Sequence, residues 1–337
     1  WERIMFKHLL AGAAVIAFSA SAASAQTSLK MAFFASPKDP TYSKVIKPWA
    51  EAINAEAKGA VKIDVFSGGA LGRNPRLQVK MTLDGVADLA WVVPSYTPGR
   101  FPDNQVMELP TLIHDVKEAS VAFRRIYDKG LLRGYGDFYV PLLVTTHPYF
   151  INTVKPVTKI ADLKGLKLRA GGPVAGASMR ALGAVPVGMP IPAVAENISK
   201  GILNGSAAEW NVMYAFRIIE VAKHHYMARL GTVPLAVLFN KKRFDGLSAK
   251  ARGIINKHSG EKFSRKFGDV HFAIQGKMLA ITQKKADQKF VFPSKADLAK
   301  WDDTLRPVID DWVKKHPKGK MLLAALKKEL ADYRAGR

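Results

Sequence analysis

The chain has 337 residues, 48% hydrophobic and 23% charged, with 51 Lys and Arg against 28 Asp and Glu for a formal net charge of +23. That is enough chain to bury a large core in one big domain or two. It holds no cysteine, which excludes disulfides, thiolate metal sites, a cysteine nucleophile and a lipid-modified N-terminal cysteine.

In chain order, Lys7 and His8 follow Met5 and precede an apolar run from Leu9 to Phe18, and small residues then end in Ala23-Ser24-Ala25. A basic start, a short apolar core and an A-x-A site predict a secretory signal peptide over residues 1–25, residues 1–4 standing upstream of it. The run is too short for a comfortable membrane span. The mature chain is expected to begin near Gln26, as a soluble periplasmic protein with no lipid anchor.

Leu29 to Phe34 predicts a strand, Tyr42 to Lys58 a helix, Val61 to Phe66 a strand, Arg76 to Asp84 a helix and Ala87 to Val93 a strand. Strand–helix alternation of this kind argues for a parallel α/β sheet, with ligands beyond the carboxyl ends of its strands. The candidate positions are then Phe34 to Pro37, Val93 to Tyr96 and the segment after Arg169.

A second α/β unit is expected from about Thr146. Val140 to Thr145 is apolar and β-branched, and Leu166, Leu168 and Ala170 alternate with Lys167 and Arg169 in a short strand. A helix at Ala175 to Leu182, a strand at Val185 to Met189, a helix at Val194 to Leu203 and a strand at Ser206 to Trp210 follow. Leu230 to Asn240 is a long strand crossing back. Long helices fill Ser248 to Ala286, and Ser294-x-x-Asp297 caps a helix to Lys315. The expected fold is α/β with two lobes, residues 26–146 and 239–278 forming one and residues 147–238 and 279–337 the other.

Arg169 ends a strand beside Gly171-Gly172, where an arginine can grip a carboxylate with two parallel hydrogen bonds and a glycine pair lets a ligand approach closely. Phe34, Trp91, Tyr96, Tyr149 and Trp210 fall at predicted strand ends or the loops after them, which makes an apolar pocket around that arginine. The basic residues are scattered, as in the pairs Lys314-Lys315 and Lys327-Lys328, so they read as solvated faces and nucleic acid is not an expected partner. No H-E-x-x-H, P-loop or G-x-S-x-G occurs. Ser259-Gly260-Glu261-Lys262 fits S-x-x-K, but it falls mid-helix and lacks companion motifs. His224-His225 are adjacent residues that diverge in any regular element, so they do not form a metal pair. No catalytic residue, metal or cofactor is expected. The alternative reading is a secreted α/β hydrolase or isomerase acting on a small organic acid, with His147 or His114 as base.

Ser67-Gly68-Gly69-Ala70-Leu71-Gly72, Asp84-Gly85-Val86-Ala87-Asp88, Glu108-Leu109-Pro110, Ile160-Ala161-Asp162-Leu163-Lys164-Gly165-Leu166-Lys167-Leu168-Arg169, Gly183-Ala184-Val185-Pro186-Val187 and Lys200-Gly201-Ile202-Leu203-Asn204-Gly205 stand in an order and spacing that carry a resemblance. Over essentially the whole mature chain the sequence resembles the periplasmic solute-binding proteins of TRAP transporters, the DctP-like receptors. The resemblance implies two α/β lobes joined by hinge strands and a long helix, closing over a carboxylate ligand, with TRAP membrane subunits as partner and the receptor acting as a monomer. Arg169 falls on the family's signature arginine. The segment before Glu209-Trp210-Asn211 matches a strand that supplies a further ligand contact, and Val93-Pro94-Ser95-Tyr96 matches another lining segment. Sialic-acid-type members carry a second arginine where this chain has Tyr149, an asparagine near Phe34 and a glutamate near Val93. The usual glutamate after Pro192 is Ala193, and the usual aspartate before Gly205 is Asn204. The expected ligand is therefore a monocarboxylate with an apolar or aromatic body, contacted by Arg169, Trp210, Asn211, Tyr149, Tyr96, Trp91, Val93, Phe34 and Met189.

Overall fold

The computed structural model describes residues 27–337. The expected signal peptide therefore lies outside the described residues. Among those, no helix is long and apolar enough to cross a membrane.

The first sheet opens with β1 (Thr27–Ala32), whose Leu29 and Met31 are fully buried. A turn of π-helix at Tyr42–Ile46 leads into α1 (Lys47–Ala57), which buries Trp49 and Ile53 in the same apolar cluster. Next come β2 (Val61–Phe66), α2 (Gln78–Leu83), β3 (Leu89–Val92), α3 (Val116–Asp128) and β4 (Phe138–Thr145). The chain then enters the second sheet with β5 (Phe150–Thr153), β6 (Lys167–Ala170), α4 (Pro173–Ala181), β7 (Val185–Gly188), α5 (Val194–Ser199), β8 (Gly205–Ala208), α6 (Trp210–Ala215) and β9 (His224–Tyr226). It returns to the first sheet as β10 (Pro234–Asn240), followed by α7 (Lys241–Asp245), α8 (Ala249–Lys257) and α9 (Glu261–Gln283). The last elements are β11 (Lys289–Val291), α10 (Lys295–Lys315) and α11 (Gly319–Arg334).

The two sheets have orders β2-β1-β3-β10-β4 and β11-β9-β5-β8-β6-β7. Both are mixed, not purely parallel as the strand–helix alternation predicts. The reason is topological. A strand that comes back from the other lobe runs opposite to its neighbours, so β10 pairs antiparallel with both β3 and β4. In the second sheet β5, entering from the first lobe, pairs antiparallel with β8 and β9. The lobe division expected between 238 and 239 falls within β10, which is bonded along its length to first-sheet strands.

Two departures from the sequence reading have local causes. Helix α3 was not anticipated, although Asp115 caps it by accepting from the Lys117 and Glu118 amides and its apolar stripe includes Phe123 and Ile126. Ser259-Gly260-Glu261 is not mid-helix. Gly260 has φ +79°, separates α8 from α9 and donates its amide to the Pro141 carbonyl at 2.9 Å.

The lobes meet where Thr145–Tyr149 and Leu230–Val233 run side by side. The Tyr149 amide donates to the Gly231 carbonyl at 3.1 Å, Leu230 to Tyr149 at 2.9 Å and Thr146 to Val233 at 2.9 Å. Helix α9 touches both lobes. Its Ser264 hydroxyl donates to the Leu143 carbonyl at 2.9 Å, and its Gln275 accepts from the Trp210 amide at 3.0 Å. Helix α10 packs on α4, while α11 returns to α3, where Arg334 pairs with Glu118 at 2.7 Å.

Candidate ligand-binding site

Four strands end at one cleft between the lobes. Beyond β1 lie Phe34, Ala35, Asp39 and Thr41; beyond β3, Val93 and Tyr96; at β6, Arg169; beyond β8, Glu209 and Asn211. They enclose about 710 Å³ of space between atoms, the mouth included. This is the placement that strand polarity in α/β sheets predicts.

Arg169 is 5% exposed. Its Nε donates to the Met189 carbonyl at 3.0 Å and one terminal nitrogen donates to the Tyr96 hydroxyl at 2.7 Å. Tyr96 is itself held, accepting the Ile191 amide at 3.0 Å. A guanidinium has five N–H groups, so three stay free to meet a ligand in a fixed plane. The glycine pair serves this packing, not ligand approach. A Cβ on Gly171 would lie 3.1 Å from the Arg169 nitrogens, and one on Gly172 would lie 2.7 Å from the Glu108 carboxylate.

Glu108 sits behind the arginine and accepts the Ser95 hydroxyl at 2.6 Å. Burial pushes its carboxyl up to about 7, against the downward pull of that hydrogen bond and of the Arg169 charge. The folded protein therefore keeps this proton to about pH 7, whereas the unfolded chain releases it near 4.5. The stability that Glu108 contributes falls as pH rises through that window and is flat above it. Relative to wild type, Glu108→Gln is expected to gain on the order of 2 kcal/mol between about pH 5 and pH 8, read from urea midpoints. A pH-independent difference would mean that Glu108 is already ionised at about pH 5.

The Tyr149 hydroxyl is buried in the cavity wall with no hydrogen-bond partner, and burial raises its pKa. On the other side, Asp39 accepts the Thr41 amide at 2.8 Å. Burial raises its pKa, opposed by hydrogen bonds from Thr41 and from the Asn211 side chain. Glu209 accepts the Asn211 and Val212 amides at 2.7 and 3.2 Å, and also the Gln275 side-chain amide. Burial lifts Glu209 to about 7. His271 stacks on Phe267 with ring centres 4.0 Å apart, and burial pushes it down to about 3, so it is neutral.

Of the nine residues expected at a site, Phe34, Trp91, Val93, Tyr96, Tyr149, Arg169 and Asn211 line this one cavity. Trp210 and Met189 do not. Trp210 opens α6 and points away from its neighbour Asn211, packing on Phe150 at 4.6 Å and His225 at 4.9 Å in the second-lobe core. Met189 reaches the site through its carbonyl, which orients Arg169. Sequence reasoning missed Asp39, Thr41, Glu209 and His271 as lining residues. The loop after β1 was a visible candidate but was followed only to Pro37. Glu209 stands inside a quoted motif. Nothing local marks His271 within the periodic pattern of α9.

The bases of the enzyme reading are elsewhere. His147 lines a separate pocket with Trp210 and Phe272, and burial pushes it down to about 4. His114 is exposed. His225 is buried between the side chains of Asn152 and Gln288. Among the described residues no group of three or more His, Asp or Glu could hold a metal.

The chain matches the family described as DctP, bacterial extracellular solute-binding protein, family 7, over residues 31–316. It is 25% identical over 334 residues to the C4-dicarboxylate-binding periplasmic protein DctP of Rhodobacter capsulatus, covering 98% of this chain and 99% of that one. It is similar to the crystal structure of a TRAP solute binding protein from an unidentified microbe of a marine metagenome, specific for aromatic acid ligands and in complex with 3-hydroxybenzoate. The TM-score is 0.87 at 29% identity, over 92% of this chain and 99% of that chain. A TRAP solute binding protein from Rhodoferax ferrireducens T118, in complex with copurified benzoate, gives 0.86 at 26% identity, over 92% and 99%.

Proposed function

The chain belongs to the DctP family of bacterial extracellular solute-binding proteins, family 7, and on that footing we propose that it captures an aromatic monocarboxylate outside the cytoplasm and delivers it to TRAP membrane subunits. It is a transport receptor and not an enzyme. The carrying observation is the charge inventory of the cleft: among the described residues Arg169 is its one Lys or Arg, set among Phe34, Trp91, Tyr96, Tyr149 and Phe216.

In this reading the free N–H groups of Arg169 hold the two carboxylate oxygens, and the Tyr149 hydroxyl supplies a third donor. The rings of Phe34, Trp91 and Tyr149 pack an aromatic body and exclude water. A second ligand carboxylate would find no second cation, and would meet Asp39 and Glu209 instead. That argues against a dicarboxylate such as the Rhodobacter capsulatus relative binds. The relatives in complex with benzoate and 3-hydroxybenzoate point the same way. Export by the N-terminal segment, a soluble mature form and a monomer complete the proposal.

A thermal-shift panel of benzoate, phenylacetate, 3-hydroxybenzoate, succinate and sialic acid tests it. A ligand at a hundred times its Kd adds about 2.7 kcal/mol, a clear rise in midpoint. The aromatic acids are expected to give that rise and succinate to give none. A rise with succinate alone would overturn the ligand class. No rise with any acid would overturn the carboxylate reading altogether.

A further inference from the structure

The cavity has a second polar end that the carboxylate clamp leaves unused. Its members come from three elements: Asp39 and Thr41 from the loop after β1, Glu209 and Asn211 from the start of α6, and His271 from α9. Asp39 is 5% exposed and Asn211 4%. The Asn211 Oδ1 is buried with no hydrogen-bond partner. Among the described residues no Lys or Arg lines this end. The Thr41 hydroxyl and the His271 Nε2 are 3.4 Å apart and serve each other.

The two ends are electrostatically distinct. The Arg169 charge acts on Glu108 and Tyr149, whereas the charge that acts on Glu209 is that of Asp39. Donors gather at one end, in the guanidinium and the Tyr149 hydroxyl. Acceptors gather at the other, in the Asp39 carboxyl and the Asn211 carbonyl oxygen. A buried acceptor without a donor is costly, and burying a purely apolar ligand edge against it leaves that cost in place.

We propose that Asp39 and Asn211 form a second recognition point, which takes a hydrogen-bond donor that the ligand carries on the far side of its body from the carboxylate. The donor is a hydroxyl or an ammonium group, and the ligand class narrows to a substituted aromatic acid. The inference rests on the preceding one, that Arg169 takes the carboxylate. A site built around a buried acceptor discriminates strongly against an analogue lacking the donor, because the Asn211 oxygen is then left unpaired, while Asp39 keeps its bonds from Thr41 and Asn211. This gives the receptor a specificity that an apolar slot alone does not have.

Titration calorimetry on the purified chain separates the possibilities, with benzoate, 3- and 4-hydroxybenzoate, and 3- and 4-(aminomethyl)benzoate. At least one donor-bearing acid is expected to bind about tenfold or more tighter than benzoate. Whether the hydroxyl or the ammonium series wins identifies the donor. Asp39→Leu and Asn211→Leu are expected to erase that margin, read as the ratio of the donor-bearing acid's affinity to that of benzoate within each variant, and urea midpoints show whether the variants are folded. If Asp39→Leu does not fold, Asp39→Asn should still shrink the margin. Benzoate binding as tightly as every donor-bearing acid would overturn the proposal, as would a margin that survives in both variants. If benzoate binds through Arg169 but no substituent helps, only the second recognition point fails. If none of the acids binds, or binding ignores Arg169→Ala, the carboxylate reading fails first.

Discussion

Arg169→Ala is expected to weaken binding of an aromatic monocarboxylate by at least about a hundredfold, which is about 2.7 kcal/mol. Removing one partner of a buried, hydrogen-bonded charge pair generally costs 2–5 kcal/mol, because the other charge stays buried and unpaired. Arg169→Lys should rescue little. The side chain is fixed by a fork, Nε on the Met189 carbonyl and a terminal nitrogen on Tyr96, and an ammonium cannot make both bonds while still presenting a flat pair to a carboxylate. Calorimetry on wild type and both variants checks this. A loss under about tenfold would mean that the carboxylate lies elsewhere.

Gly231→Ala is expected to destabilise the folded chain by about 3 kcal/mol. A Cβ at this position would sit 2.0 Å from the Glu108 carbonyl oxygen and 2.7 Å from its carbon, both of them main-chain atoms that cannot rotate aside. The surrounding bonds leave little slack. The Gly231 carbonyl accepts from Tyr149, and Thr232 donates its hydroxyl to the Met107 carbonyl at 2.7 Å. Gly253→Ala is the control, since its Cβ would meet nothing within 4 Å inside α8. That change should stabilise by about 0.5–1 kcal/mol through helix propensity alone. Urea midpoints for the two variants should therefore move in opposite directions. If they move together, the close approach at Gly231 is not a constraint on the fold.

The layout of the molecule was legible where the sequence pattern is strong. Val61–Phe66 and Lys295–Lys315 were read with the bounds observed, the first from alternation and the second from its Ser294 cap. The strands β5, β9 and β11 were not read, because none of them alternates apolar with polar residues and each takes its form from partners far away in the chain. The direction of β10 depends on which lobe the chain is returning from, and periodicity carries no such information. At the cleft, Arg169 and the aromatics Phe34, Trp91, Tyr96 and Tyr149 could be found because strand ends project toward one side, whereas Phe216, beyond α6, could not. Asp39 and His271 could not. One lies between Pro37 and Pro40 in an irregular loop, and the other is one polar position on a long helix. Trp210 and Asn211 show the limit of neighbour reasoning, since one residue of rotation separates a core side chain from a cavity wall.

The chain passes between the lobes at Thr145–Tyr149 and again at Leu230–Val233, and these passages lie against each other. Two adjacent passages define a line, and turning about that line is the movement expected to disturb their hydrogen bonds least. Helix α9 stands off the line, fastened to β4 through Ser264 and to α6 through Gln275. Turning the lobes would change the separation of those two fastenings, so α9 is expected to bend or to release one of them as the cleft opens, and the run from α10 to α11, which returns to α3, is a further tie between the lobes. One pair of labels across the cleft and a second along α9 should then report distances that change together.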